Sequence, residues 1–475
     1  MTDAGPWIRR LYCLLIAAGA GAVVLGLEVL AARTMAPALG SGSAAWSALL
    51  SAALASLAVG NLLGGWLAGR VRAGAAIGWA FTLAAGWLVA FSQLHGPAMR
   101  WSAEQSLFLG ASAAALATQF VPMLLLGMIT PVLLRAGERR SRSELWSGAV
   151  LACGSTGGIG GALAIGLAIL PAIGLSHSYL LAGGMLLLAA APALLRDRRW
   201  LAGVLALAVL MLGGYCWTRP PARQVVQSLH GQLEVQWDQA GRTLLIDGLP
   251  QTALPGQLAP WEALRQGYLL EAGLLFQPEA RSALVVGLGA GLAPRVLALH
   301  GVPCETVELD PAVVRIAREQ FEFAGPVAIA DGRAFLQRSD RQWDLIFVDV
   351  CTSERLPTHL FTAESMQTLR RRLSPAGLLV VQFIGDDGPW SASLARTVSQ
   401  SFGPSLVLTP QPDLGLIGPR WLFAGQPVLA RPQDLSLPWR ILEPSSPGLL
   451  LTDDHFPSEL AWTRTAALWR RLYGQ

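Results

Sequence analysis

Long unbroken apolar stretches fill the first 217 residues of this 475-residue chain, and no other feature constrains its folding as strongly. Seven can be read, near 11–32, 44–68, 74–94, 107–134, 147–170, 177–195 and 201–217. Most reach the ~20 residues an α-helix needs to cross ~30 Å of hydrocarbon. Their hydrophobicity is continuous rather than alternating, which selects helices over barrel strands. The first is too long, and followed by too many others, for a cleaved signal peptide. Residues 1–217 are therefore expected to form an all-α bundle of about seven helices in a lipid bilayer.

Apolar residues make up 53% of the chain and charged ones 14%, against about 25% charged in soluble domains. All 35 basic side chains are arginine, which excludes lysine Schiff-base chemistry. Residues 1–217 carry 13 Arg and 6 acids, and the remainder 22 Arg and 25 acids. The basic excess thus flanks hydrophobic segments instead of forming a nucleic-acid face. The five Cys are scattered, and no His/Cys cluster has metal-ligand spacing, so no zinc site is indicated.

Gly157 and Gly161 have the spacing that lets two helix backbones touch. Glu28 and Asn61 place polar groups at membrane depth, where they either line a substrate path or bond across the two helices. If all seven stretches cross, eleven Arg fall on one side (residues 9, 10, 70, 72, 135, 139, 140, 142, 196, 198 and 199) and two on the other (33 and 100). That count puts the N-terminus in the cytoplasm and everything after residue 218 on the non-cytoplasmic face of a cell (inner) membrane. That placement conflicts with the chemistry below.

From residue 218 the pattern changes. GQLEVQW and RTLLIDG alternate between Gly-, Pro- and Asp-containing turns, as expected of a small antiparallel β unit over 218–279. From 280 to 475 strand and helix patterns alternate, predicting a doubly wound, mainly parallel α/β sheet. Strands are expected at 282–286, 305–309, 327–330, 345–350 and 378–383. The first ends in the turn Gly287, Gly289, Gly291, and Glu308 closes the second, where an acid can accept both hydroxyls of a ribose. Leu292 stands where the third glycine of GxGxxG would be. Asp331 and Asp349 follow at further strand tips. Acids at successive tips suit a ligand bearing hydroxyls and amines, such as a nucleoside sulfonium, with NAD as the rival.

The strings VVGLGAGL, VELDPAVV, ADGRAFL and WDLIFVDV together resemble the polyamine aminopropyltransferases, or spermidine synthases, which implies a Rossmann-like methyltransferase fold for residues 280–475. LIDGLPQT, LPTHLFT and LTDDHFP are similar to stretches of their membrane-bound branch, described as fused major-facilitator/spermidine synthase proteins. The resemblance covers roughly residues 225–460. It implies a transferase of polyamine biosynthesis using decarboxylated S-adenosylmethionine as co-substrate, a polyamine such as putrescine as acceptor, no metal, and a homo-oligomer. Carried over by position, Gly287, Gly289 and Gly291 form the cofactor turn and Glu308 holds the ribose. Asp331, with Gly332 beside it, reads the adenine, and Asp349 is the catalytic carboxylate. Gln251, Tyr268, Asp453 and Asp454 are substrate contacts on the same basis.

Two positions depart from the pattern. Ala290 replaces an Asp that grips the aminopropyl ammonium, and Thr352 replaces a second Asp after the catalytic one. Both losses remove anionic contacts to cationic groups, which Glu354, Asp453 or Asp454 would have to restore. They keep two alternatives open: an S-adenosylmethionine-dependent methyltransferase on the same fold, and a polyamine-binding transporter or sensor.

Overall fold

The computed structural model describes residues 6–454 apart from 41, 106, 139–142, 197–199, 219–224, 239–240, 256–270, 351–356, 404, 411–417, 430–438 and 442–447. Two compact units emerge, Met1–Gly231 and Gln232–Gln475.

Among the described residues, six helical stretches of the first unit are long and apolar enough to cross a membrane. The fifth, Glu144–Leu195, has 52 residues and would run about 78 Å, more than twice ~30 Å of hydrocarbon. It is broken at Gly174, whose φ of 77° and ψ of 177° are not helical, and so accounts for two of the seven expected stretches. Several ends differ from the sequence reading. The first helix spans Pro6–Leu39 and the third Ala73–Ala103. Apolarity measures how much of a helix suits lipid, whereas hydrogen bonding continues into polar turns. The stretch at 107–134 is two helices, Leu107–Gly127 and Ile129–Glu138.

Small residues let the helices approach closely, as GxxxG spacing predicts. A Cβ added at Gly157 would collide with the Ala18 carbonyl, and one at Gly161 with that of Ala22. Gly21 lies in the same way against Gly154. Glu28 is half-buried and Asn61 exposed; no hydrogen bond joins them, so the helix–helix bond considered for this pair is not formed. The buried polar pairing is instead Thr34 with Tyr179, 2.7 Å between hydroxyl oxygens. Short strand β1 (Val225–Gln227) lies near the end of this unit.

The second unit contains an antiparallel meander, β2 (Gln232–Asp238), β3 (Gly241–Ile246) and β4 (Leu249–Pro255). Asp247 turns it with a φ of 49° and accepts the Gln232 N–H, the Asp-Gly turn chemistry the sequence suggests. Arg242 ties the meander to the rest of the unit. It donates to the Gln320 carbonyl at 2.5 Å and pairs with Glu322 at 3.0 Å.

The main sheet has eight strands in the order β12-β10-β11-β9-β8-β5-β6-β7. Strands β5 (Ala283–Val286), β6 (Cys304–Glu308), β7 (Ala328–Ile329), β8 (Trp343–Val348) and β9 (Leu373–Gly385) are parallel. The sequence reading expects these five. It misses β10 (Ser405–Pro410), β11 (Gly418–Gly425) and β12 (Trp439–Ile441), which add antiparallel on one edge. Strand β5 is fully buried, as near-continuous apolar runs in two-faced sheets require. It is flanked by β6 on one side and β8 on the other. The strand order therefore reverses at β5, and ligands of such sheets sit outside the carboxyl ends at that point.

Candidate active site

The three acids singled out from the sequence stand at carboxyl ends around this reversal. Glu308 ends β6, Asp349 follows β8 directly, and Asp331 lies just beyond β7. The turn after β5 is anchored from both sides. Gly287 donates its N–H to Val307 O, and Asp349 donates its own to Val286 O, each at 2.8 Å.

Gly287 has φ 99° and Gly289 φ 54°, a region an L side chain rarely enters. Space gives a second reason for glycine. A Cβ on Gly287 would meet the Asp349 carbonyl, and one on Gly289 the Thr252 hydroxyl. The turn is thus wedged between the end of β8 and the meander. Gly291 also has positive φ and precedes the helix Leu292–Leu299. Gly332 opens the helix Gly332–Arg338, and its Cβ would strike Val286.

Glu308 accepts two backbone N–H groups, Leu288 on Oε2 and Asp310 on Oε1, both at 2.9 Å. Burial pushes its carboxyl above the usual range, against the pull of these bonds. Asp349 is half-buried. Burial first, and the Glu308 charge second, push its carboxyl up to about 6. A carboxylate poised there can accept a proton near neutrality.

Asp331 caps the helix Gly332–Arg338, accepting the Ala334 N–H at 2.8 Å on Oδ1. Its Oδ2 lies 2.9 Å from His359 Nε2. Burial acts upward on its carboxyl, but the Ala334 N–H and His359 outweigh it, and Asp331 sits below the usual range.

Asp453 is linked to this region, because Arg333 also donates to the His359 carbonyl at 2.9 Å. Asp453 is gripped by Arg333 at 2.7 and 2.6 Å and receives the Thr362 hydroxyl at 2.7 Å. Its own N–H donates to Glu364 at 3.0 Å. The Arg333 bonds lead in holding its carboxyl down at about 2. In this arrangement Asp453 clamps the C-terminal segment. Asp454 is exposed. Gln251 donates to the Leu249 carbonyl at 3.3 Å, and its neighbour Thr252 is the residue that meets the glycine turn. Tyr268, Thr352 and Glu354 lie outside the described residues.

A small cavity of about 10 Å³ opens beside Asp349, lined by Thr252, Leu288, Leu292, Ala293, Gln382 and Trp421 as well; it holds about one water molecule. The sequence reading misses Thr252, Gln382 and Trp421. Gln382 does leave a trace, a lone amide in the apolar run LLVVQFI. Ala290, in the glycine turn, is fully buried. A larger cavity of about 480 Å³, lined by Arg295, Cys304 and Phe323 among others, contains none of the selected acids. No group of three metal-ligating side chains occurs among the described residues.

Residues 262–399 match the family described as Spermine/spermidine synthase domain. The N-terminal histidine N-methyltransferase of Emericella nidulans is 35% identical over 146 residues, 29% of this chain and 26% of that protein. A polyamine aminopropyltransferase of Vibrio vulnificus is 35% identical over 118 residues, 23% of this chain and 40% of that one. Polyamine aminopropyltransferase 2 of Pseudomonas aeruginosa is 31% identical over 178 residues, 34% and 49%. The chain thus spans about half or less of the curated relatives it matches. Among solved structures, a probable spermidine synthase from Corynebacterium glutamicum is similar over 50% of this chain and 99% of its own, at 18% identity and a TM-score of 0.42.

Proposed function

We propose that this protein is a membrane-anchored polyamine aminopropyltransferase. The observation that carries the reading is the convergence of Glu308, the Gly287–Gly291 turn and Asp349 on one sheet edge, within the spermidine synthase domain. The residues fit a nucleoside sulfonium. Glu308 is fastened so that its carboxylate faces ligand hydroxyls from the end of β6, and Asp331 with Gly332 borders the base. The sulfonium supplies an electrophilic carbon and leaves as a neutral thioether, so no general acid is needed.

The chain's own residues then have two tasks. Asp349 holds the acceptor ammonium, takes one of its protons, and leaves the nitrogen lone pair free to attack. A carboxyl raised to about 6 accepts that proton more readily than an ordinary aspartate. The glycine turn and Thr252 fix the two reactants in line, and such positioning supplies much of the rate. The direct test is chemical. Purified full-length protein given decarboxylated S-adenosylmethionine and putrescine or spermidine releases methylthioadenosine; no release with any amine, while the co-substrate binds, refutes the reading.

One observation favours a second reading, methyl transfer from intact S-adenosylmethionine. Ala290 buries a methyl group where an anionic grip on an aminopropyl ammonium is expected, and the Emericella nidulans relative is a methyltransferase by name. The product separates the two: methylthioadenosine for aminopropyl transfer, S-adenosylhomocysteine for methyl transfer.

The long apolar helices serve in this proposal as the bilayer anchor. The arginine count supports a cytoplasmic N-terminus and, after seven crossings, a catalytic unit on the non-cytoplasmic face. Labelling Val235→Cys with a membrane-impermeant thiol reagent in intact cells checks the side.

A further inference from the structure

Asp331 stands where the sheet supports it least. It follows β7, a strand of two residues at the sheet margin that pairs with β6 alone. Its side chain is 35% exposed, so packing does not choose its orientation. Two contacts do. The Ala334 N–H donates to Oδ1 at 2.8 Å, and His359 Nε2 lies 2.9 Å from Oδ2.

His359 is itself held through its backbone. Its turn, Thr358–Leu360, buries Leu360, and its carbonyl accepts Arg333 Nη1 at 2.9 Å. Arg333 is fixed in turn by Asp453. The imidazole is left half-exposed, with Asp331 as its side-chain hydrogen-bond partner. Burial acts upward on the Asp331 carboxyl, yet the Ala334 N–H and His359 hold it below the usual range. Asp331 is therefore ionised at neutral pH, and an ionised carboxylate only accepts. His359 Nε2 must be the donor. A carboxylate has about four lone-pair sites, so these contacts set its plane while leaving acceptor positions open to a ligand. An amino group on a purine ring can donate to such a position; a ring carbonyl there sets oxygen against carboxylate.

We infer that His359 is a positioning residue for the nucleobase: by fixing Oδ2 it turns the Asp331 carboxylate toward a purine 6-amino group and so sets the preference of the site for a 6-amino over a 6-oxo purine. This inference rests on the reading of Asp331 as the residue beside the base and names what orients it.

Calorimetry on the full-length protein in detergent compares methylthioadenosine with methylthioinosine, which carries a carbonyl in place of the amino group. The wild-type protein is expected to prefer methylthioadenosine about ten-fold or more, as a hydrogen bond to a charged group gives. His359→Phe keeps a ring but donates nothing, and should erase most of that preference by weakening methylthioadenosine alone. His359→Gln, whose amide N–H can take the place of the Nε2 N–H, should keep it. In Asp331→Ser, whose hydroxyl can still cap the helix, adding His359→Phe should change neither affinity. A preference unchanged in His359→Phe overturns the inference. So does an equal loss for both nucleosides, which is what a merely structural residue would give. His359→Ala supplies the same comparison where the phenylalanine ring disturbs folding. Equal wild-type affinities overturn the base reading of Asp331 and the inference with it, and failure to bind methylthioadenosine at all overturns the adenosyl reading of the site.

Discussion

Glu308 Oε2 accepts the backbone N–H of Leu288 at 2.9 Å, so the acid that ends β6 is bonded to the glycine turn that ends β5. This single contact joins the two elements that the proposed nucleoside site uses together. Removing the charge in Glu308→Gln weakens a charge-assisted bond worth about 1.5–3 kcal/mol. Methylthioadenosine affinity is expected to fall about ten-fold or more by calorimetry. Unchanged affinity removes Glu308 from the site.

Asp349→Asn is expected to lower the transfer rate about 10²–10⁴-fold while nucleoside affinity changes little. A pure binding protein would keep its membrane function with this change. In the wild-type enzyme, kcat/KM falls as pH drops through about 6, because the base is then protonated. A pH profile that is flat across that range separates Asp349 from the proton transfer.

The same carboxyl makes a stability prediction. Its folded-state value, about 6, is above the ordinary 3.8, so its contribution is fully present below about pH 4 and is lost as pH rises through about 6. Ionised Asp349 then costs on the order of 1–3 kcal/mol near neutral pH. Asp349→Asn should raise the melting temperature at about pH 8 and change it less at about pH 4. A lower melting temperature at the higher pH contradicts the burial argument.

Asp453→Asn loosens the Arg333 clamp. Arg333 holds the Asp453 carboxyl down at about 2, so the pair contributes above about pH 4 and is lost as pH falls through about 2. The Asp453 side chain is 39% exposed, and solvent screening limits the effect to about 1 kcal/mol or less. The melting temperature is expected to drop slightly while the acceptor KM holds. A rise in acceptor KM without loss of stability would make Asp453 a substrate contact.

Gly161→Val and Gly160→Val form a matched pair in the apolar bundle. The first drives a Cβ into the Ala22 carbonyl, whereas nothing lies within 4 Å of a Cβ at Gly160. Only Gly161→Val is expected to lower the yield of folded full-length protein in detergent, read by size-exclusion profile. Equal behaviour of the two removes the close helix approach.

How much of this was legible in the sequence follows from how local each contact is. Strand–helix alternation fixes which ends of β5, β6 and β8 face one edge, so Glu308 and Asp349 could be selected from spacing alone. Trp421 could not. It comes to line the same cavity as Asp349 through an antiparallel strand that pairs with β9, and register across 39 residues leaves no periodic trace. The Asp331–His359 contact and the Arg333–Asp453 clamp join residues 28 and 120 positions apart, again beyond any local pattern. In the bundle, the Gly157/Gly161 spacing was readable because helix geometry repeats. The relation of Glu28 to Asn61 was not, because helix rotation decides which face each residue occupies.

The central claim is that Glu308, Asp331 and Asp349 surround one adenosyl thioether. A density map of the full-length protein with methylthioadenosine tests it most directly. The account predicts the ribose on Glu308, the adenine beside Asp331 and Gly332, and the sulfur turned toward Asp349; ligand density in the larger Arg295 cavity, with the glycine turn empty, contradicts it.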